Sequence, residues 1–216
     1  FKLLLRIILI DIKIFILLYN NMEFFNTVTV KDKSFEQYIG KYELYSIISG
    51  IAEKINHDYK NCSTHNPLII IGVLNGSFMF LADLVKMLNI KCEIHFIKVS
   101  SYSGTHSAGK VTEILGLTRN ITNQNVLIVE DIVDTGLTVR EIYHQLILKK
   151  PFTLDICTLL YKKVNCKVAD LNIKYICKEI EDKFVIGYGL DYDNLGRNYD
   201  TIYSLIEDEM GWDELG

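Results

Sequence analysis

The segment "VLIVEDIVDTGLTV", residues 126–139, runs from four apolar positions into Glu130 and Asp131, reaches a third acid at Asp134, and continues through Thr135-Gly136-Leu137-Thr138. An ionised carboxylate removed from water needs a charge or a hydrogen-bond partner. Acids at the end of a buried strand therefore call for an explanation. Glu130 and Asp131 are adjacent, so in an extended strand they point to opposite faces. At a strand end both can turn over a ligand, accept hydrogen bonds from two vicinal sugar hydroxyls, or hold a divalent cation through oxygen atoms. The alternative is a solvated loop whose charge serves solubility. Gly136 can take a positive φ and admits a ligand close to the backbone, and the helix after it offers free N–H groups to a phosphate. The same residues also fit an ordinary strand-to-helix turn in which Thr138 caps the helix and Glu141 completes a capping box. The two readings are compatible, because a capped helix start still has donors to offer. Asp134 lies just ahead of the turn, where a proton acceptor would face whatever the sugar carries. A phosphate on amides, a diol on acids and a nearby base together describe a site for ribose 5-phosphate.

Such a site needs strands and helices to hold it. "LYSIISGIAEKINHDY" (44–59) repeats apolar residues at Leu44, Ile47, Ile48, Ile51 and Ile55, the spacing of a helix with one buried face. "PLIIIGV" (67–73) is continuous, short and Ile-rich, as in a strand covered on both faces. "SFMFLADLVKML" follows with helical spacing. Strands are expected at 92–100, 126–130, 153–161 and 183–190, with a helix from Thr138 to about Leu148. Strands alternating with helices predict βαβ units and a parallel sheet, whose ligands gather beyond the carboxyl ends of the strands.

The 216 residues suit one domain, 49% of them hydrophobic and 23% charged with only two prolines. A formal net charge of −4 gives no general attraction for nucleic acid or anionic lipid. The five cysteines are odd in number and lack Cys-x-x-Cys spacing, which disfavours a disulfide framework or a structural zinc and suits a reducing compartment. No Gly-x-Gly-x-x-Gly follows a strand, since "GYGLDY" (187–192) lacks the last glycine. The first 21 residues are mostly Leu and Ile, but Arg6, Asp11 and Lys13 offset the insertion energy of a membrane span, and no small-residue cleavage site follows. Met22 is read as the natural start and residues 1–21 as an apolar extension outside the fold, leaving 22–216 as one domain. The competing reading is an amphipathic membrane tether.

The opening segment closely resembles the phosphoribosyl pyrophosphate signature of the type I phosphoribosyltransferases: hydrophobics, two acids, two hydrophobics, Asp-Thr-Gly and Thr. "GVLNGSFMFLADL" (72–84), "SSYSG" (100–104), "LLYKK" (159–163) and "DKFVIGYGLDYDNLGRN" (182–198) follow in the order, and near the spacing, of the hypoxanthine-guanine branch. The likeness covers most of residues 22–210. It implies an α/β fold with a central, mostly parallel sheet flanked by helices and a small hood built from N- and C-terminal segments. The implied activity is purine salvage, in which the 5-phosphoribosyl group passes from phosphoribosyl pyrophosphate to hypoxanthine or guanine with Mg2+ present.

Carried over by resemblance, Glu130 and Asp131 meet the ribose hydroxyls and Mg2+, Asp134 to Thr138 hold the 5-phosphate, and Asp134 is the general base. Lys162 donates to the purine 6-oxygen, Phe184 stacks on the base beside Lys183, and the backbone of Val185 bonds its edge. Asp191 helps bind a second Mg2+, and Arg197 contacts pyrophosphate, as do the amides around Asn75 and Gly76. Ser101 and Tyr102 belong to a lid that closes over the reaction centre. The resemblance also implies a cytoplasmic homo-oligomer, a dimer or tetramer, without nucleic-acid or membrane partners. Two positions depart from the common pattern: Asn75 and Leu137 stand where many or some members carry a cationic side chain, which bears on affinity more than on reaction type.

Overall fold

The structure is a computed structural model that describes residues 27–102, 111–168 and 171–206. The apolar segment 1–21 and the lid residues 103–110 lie outside the described residues. In chain order the elements are β1 (Thr27–Val30), β2 (Lys33–Ile39), α1 (Lys41–Asp58), β3 (Leu68–Leu74), α2 (Phe78–Met87), β4 (Cys92–Tyr102), β5 (Val111–Leu115), β6 (Asn125–Val133), α3 (Leu137–Ile147), β7 (Thr153–Tyr161), β8 (Tyr175–Glu179), β9 (Val185–Ile186) and β10 (Ile202–Leu205).

The apolar runs expected as buried strands become the middle of a six-stranded sheet ordered β5-β4-β3-β6-β7-β8. Five of its strands run parallel, and β5 closes one edge antiparallel to β4. Alternation along each strand divides the core into two layers. Leu68, Ile70, Leu127, Val129 and Cys157 pack with Leu44, Ile48, Ile51 and Ile55 of α1 and Phe80, Leu81 and Leu84 of α2. Ile69, Ile71, Val126, Ile128 and Ile156 pack with Val139, Ile142 and Leu146 of α3. Helices on both faces explain why β3 and β6 are continuous apolar runs rather than alternating ones.

A second sheet, ordered β1-β2-β10-β9 and antiparallel throughout, joins residues from the two ends of the described chain. Val30, Phe35, Ile186 and Tyr203 form its own small core. This is the expected hood. Among the described residues no helix is long and apolar enough to cross a membrane.

Several boundaries shift from expectation, and three of these bear on the site. The strand that precedes the acids does not stop at Glu130 but continues to Val133, because its ladder with β7 runs on through Val133 and Tyr161. The strand expected at 183–190 shrinks to Val185–Ile186; its remainder is a turn with positive φ at Gly187, Tyr188 and Gly189. α3 begins at Leu137, one residue before the expected Thr138.

One feature of the register positions the site. β3 pairs with β6 only as far as Gly72 and Val129. Beyond that point β3 continues beside β4 to Leu74 and Lys98, while β6 continues beside β7. The strands part where the chain order reverses, which opens a crevice at their carboxyl ends.

Ile128 is fully buried at this seam, whereas Leu148 is exposed beyond α3. Ile128→Ala is expected to destabilise the protein by roughly 2–5 kcal/mol in urea denaturation, against less than about 0.5 kcal/mol for Leu148→Ala. Equal losses would mean that the crevice wall is not the core described here.

Candidate active site

The crevice widens into a cleft of about 640 Å³ whose lining includes Asn75, Gly76, Glu130, Asp131, Thr135, Leu137, Thr138, Asp191 and Arg197. Nine positions singled out in the sequence thus meet in one place. β6 carries Glu130 and Asp131 past the point where β3 leaves it, so both acids reach the cleft from within a strand rather than after it. Glu130 is buried, and its Oε2 has no hydrogen-bond partner. Burial, and secondarily the Asp131 charge, push its carboxyl well above the ordinary range. Burial likewise pushes Asp131 up to about 6, against the opposing pull of backbone hydrogen bonds and of Arg197. Gly76 leaves room for this pair, since a Cβ there would fall 1.5 Å from the Asp131 Oδ2. The peptide bond before Asn75 is cis.

Arg197 is the one cation among the described residues lining the cleft. It donates from Nη1 to the Gly189 carbonyl at 2.7 Å and pairs through Nη2 with Asp191 Oδ1 at 2.6 Å. Asp191 also accepts the Asn194 amide at 2.7 Å. The guanidinium is thereby fixed in position opposite the two β6 acids. Among the described residues no three ligating side chains converge as a metal centre. The buried Glu130, with its unpartnered oxygen, and the half-buried Asp131 beside it still fit a Mg2+ ion, which commonly takes one or two carboxylates and completes its shell with substrate oxygens and water.

The turn that follows corrects one expectation. Gly136, at φ 79°, is the residue that caps α3, and no side chain caps the helix; the Arg140 amide bonds back to its carbonyl at 3.0 Å. Thr138 lies inside the first turn instead of capping it, and Glu141 accepts from Gln145 at 2.8 Å. The capping box is therefore absent because the left-handed glycine starts the helix one residue early. The consequence favours an anion: the first amides of α3 remain uncapped beside Thr135, with a positive helix end behind them.

Asp134 and Lys162 are brought together. Lys162, buried at the end of β7, points its Nζ at Asp134 Oδ2 at 3.3 Å and at Asp182 Oδ1 at 3.0 Å. Its backbone amide bonds to the Val133 carbonyl at 2.9 Å, and the Lys167 amide bonds to that of Thr135 at 3.0 Å, so the loop after β7 lies along the 134–138 turn. Asn165, in that loop, donates to Asp134 Oδ1 at 3.0 Å. Neither Asn165 nor Asp182 was singled out from the sequence. A single polar residue in a loop has no periodicity to reveal it.

Asp182 leads directly into the aromatic wall. Phe184 is 46% exposed, and its ring lies 6.3 Å from that of Phe35 and 5.9 Å, edge-on, from that of Tyr192. It lines a second hollow of about 330 Å³ with Asp182, Lys183 and Glu36. Lys183 turns toward the hood, with its Nζ 5.0 Å over the Tyr38 ring and 3.5 Å from Glu181. Val185 lies in β9, the end strand of the hood sheet, and an end strand keeps one edge of its backbone for other partners. Ser101 and Tyr102 end β4, paired with Thr112 and Val111 of β5. One chain of contacts links the surroundings of the two hollows, from the 134–138 turn by Asp134 and Lys162 to Asp182, which lines the Phe184 hollow.

Comparison with known proteins gives the family and the fold. The family profile described as "Phosphoribosyl transferase domain" matches residues 38–193. The chain belongs to the phosphoribosyltransferase family, whose members are transferases. Within that family it belongs to the hypoxanthine-guanine branch. It is 37% identical over 180 residues to the hypoxanthine-guanine phosphoribosyltransferase of Aquifex aeolicus, covering 83% of this chain and 98% of that one. It is 42% identical over 168 residues to the Staphylococcus epidermidis enzyme of the same name, covering 77% and 91%. The solved hypoxanthine phosphoribosyltransferase of Trypanosoma cruzi, in its ternary complex with substrates, superposes with a TM-score of 0.74 at 37% identity, over 79% of this chain and 94% of that one.

The raised carboxyls predict a pH effect. A carboxyl with a higher pKa in the folded state than in the unfolded state destabilises the fold as it ionises. For Asp131 this occurs as pH rises from its ordinary value of 3.8 through about 6, and a shift of that size corresponds to roughly 3 kcal/mol. With divalent cations chelated, Asp131→Asn should melt progressively higher than the parent as pH rises from 4 to 7, with the gap closing toward pH 4. A gap that does not change with pH would contradict the shift.

Proposed function

We propose that this protein is a purine salvage enzyme that transfers the 5-phosphoribosyl group from phosphoribosyl pyrophosphate to hypoxanthine, and to guanine, giving the nucleoside monophosphate and pyrophosphate. The observation that carries the reading is the Asp134–Lys162–Asp182 contact chain, which sets a proton acceptor and an ammonium between an uncapped helix start and an exposed aromatic ring.

In this reading the 5-phosphate rests on the amides of residues 135–138. The ribose hydroxyls reach Glu130 and Asp131, and pyrophosphate lies between the Asn75–Gly76 backbone, the start of α2 and Arg197. Glu130 and Asp131 would hold one Mg2+ and Asp191 would help hold another. Bound there, the metal would neutralise pyrophosphate charge and favour its departure. As the bond from the ribose carbon to pyrophosphate breaks and the bond to the purine nitrogen forms, that nitrogen's proton passes to the Asp134 carboxylate. A carboxylate can accept it at neutral pH when it lies within hydrogen-bond reach.

Lys162 donates to the purine 6-oxygen. An ammonium has donors only, so it cannot accept from the 6-amino group of adenine, and the site favours 6-oxopurines. Phe184 offers its exposed face to the base, Lys183 borders that hollow, and the edge of β9 at Val185 serves the base rim. Ser101 and Tyr102 stand at the root of the lid that would exclude water from the activated sugar. The absence of a cation at Asn75 and Leu137 leaves the anions to amides, Arg197 and metal. A cytoplasmic setting and a dimeric or tetrameric assembly belong to the same reading.

Purified protein with Mg2+ and phosphoribosyl pyrophosphate is expected to turn over hypoxanthine or guanine and to leave adenine unchanged; folded protein inactive on every purine, xanthine included, would overturn the proposal. Asp134→Asn should bind inosine monophosphate comparably while its kcat falls about 10²- to 10⁴-fold, the range for loss of a positioned base. Parent-like rates would remove Asp134 from that role.

A further inference from the structure

The Lys162 ammonium is the most constrained cation of the site. Its side chain is 9% exposed, whereas its two carboxylate partners, Asp134 and Asp182, are 45% and 63% exposed. An ammonium has three N–H donors. Two are directed at these carboxylates, and the contact to Asp182 at 3.0 Å is shorter than the 3.3 Å contact to Asp134. Asp134 does not depend on the lysine for its position, because Asn165 holds its other oxygen at 3.0 Å.

A purine entering between the two must take both a hydrogen bond from the ammonium and an acceptor oxygen of Asp134. The longer contact, Lys162 to Asp134, is the one that would yield. A buried ammonium left without a carboxylate at that moment would lose much of its compensation. Asp182 prevents this. Hydrogen bonds from Lys162 and Asn165 hold its carboxyl below the usual range, so it stays ionised at neutral pH.

We infer that Asp182 is a positioning residue for purine selection: it keeps the Lys162 ammonium aimed at the 6-oxo group when the incoming base separates Lys162 from Asp134. Its place in the chain suits the task, since it lies two residues before Phe184 and ties the group that reads the purine rim to the ring that covers the purine face. This inference rests on the purine-salvage reading, in which Lys162 meets the 6-oxygen.

The test is Asp182→Asn, which removes the charge and keeps the shape. The KM for hypoxanthine or guanine should rise about fivefold, the upper end for loss of one ion pair with a solvent-facing partner. The KM for phosphoribosyl pyrophosphate should stay within twofold, as should kcat. Asp182→Glu should recover most of the purine KM. A surface residue that only supports the fold would change the melting temperature or all kinetic constants together, and Glu would not rescue the purine KM selectively. Lys162→Met is run alongside. If Lys162→Met raises the purine KM while Asp182→Asn leaves it within twofold of the parent, the inference falls and the salvage reading stands. If the parent itself transfers to no 6-oxopurine, it is the salvage reading that fails.

Discussion

Two carboxylates share a place where the sheet has just lost a strand, and the rest of the site follows from the cost of keeping them there. Where β3 and β6 diverge, Glu130 and Asp131 are left facing a gap rather than a backbone neighbour. Moving ionised carboxylates from water into such a gap is unfavourable by several kcal/mol per charge unless something opposite compensates. The chain supplies only part of that compensation through Arg197, whose guanidinium is itself occupied by Asp191 and a carbonyl. The remaining deficit is a built-in demand for cations and hydroxyls. The polyanionic sugar and metal of the proposed reading would meet that demand, and the position of Asp131 explains why residue 76 has no side chain.

Much of this could be read from the primary structure because the physical constraints there are local. "LIIIGV" has to be a strand covered on both faces, and a run of hydrophobics ending in two acids and Asp-Thr-Gly leaves few alternatives to a strand, a turn and a helix. The hood was harder to read. β1 and β2 bury few residues, Val30, Phe35 and Ile39, and their other positions are exposed or half-buried, so their apolar signal is too sparse to separate from a loop. The strand that pairs with β2, β10, lies near the other end of the described chain, and pairing at that distance leaves no trace in any short window. Thr138 misled for a related reason: side-chain chemistry suggested a cap, but the helix start was set by the backbone freedom of Gly136, two residues earlier. Asn165 and Asp182 gave no signal at all, since their importance comes only from the contacts they make.

The two sheets divide the work. In the proposed reading the large sheet supplies the ribose and 5-phosphate contacts, since Glu130, Asp131 and the α3 amides come from a single strand-turn-helix passage. The hood side carries Phe184 and the free edge of β9, which suit a flat, mostly apolar ring. Lys162 and Asp134 sit where the two meet. A carboxylate with one oxygen held by an amide and the other near an ammonium keeps a fixed direction while remaining open to a third partner, which suits the base role proposed for Asp134.

The weaving of the hood has a consequence for how the protein comes into being. β2 emerges from the ribosome early, yet the strand that pairs with it, β10, and the aromatic residue at the head of β9 are made only after the whole large sheet has been synthesised. A nascent chain can therefore complete the strands that carry Glu130 and Asp131 well before Phe184 and the last hood strand are made. Until β10 docks, one edge of β2 has no partner, and an open strand edge is a template for pairing with a neighbour on the same polysome.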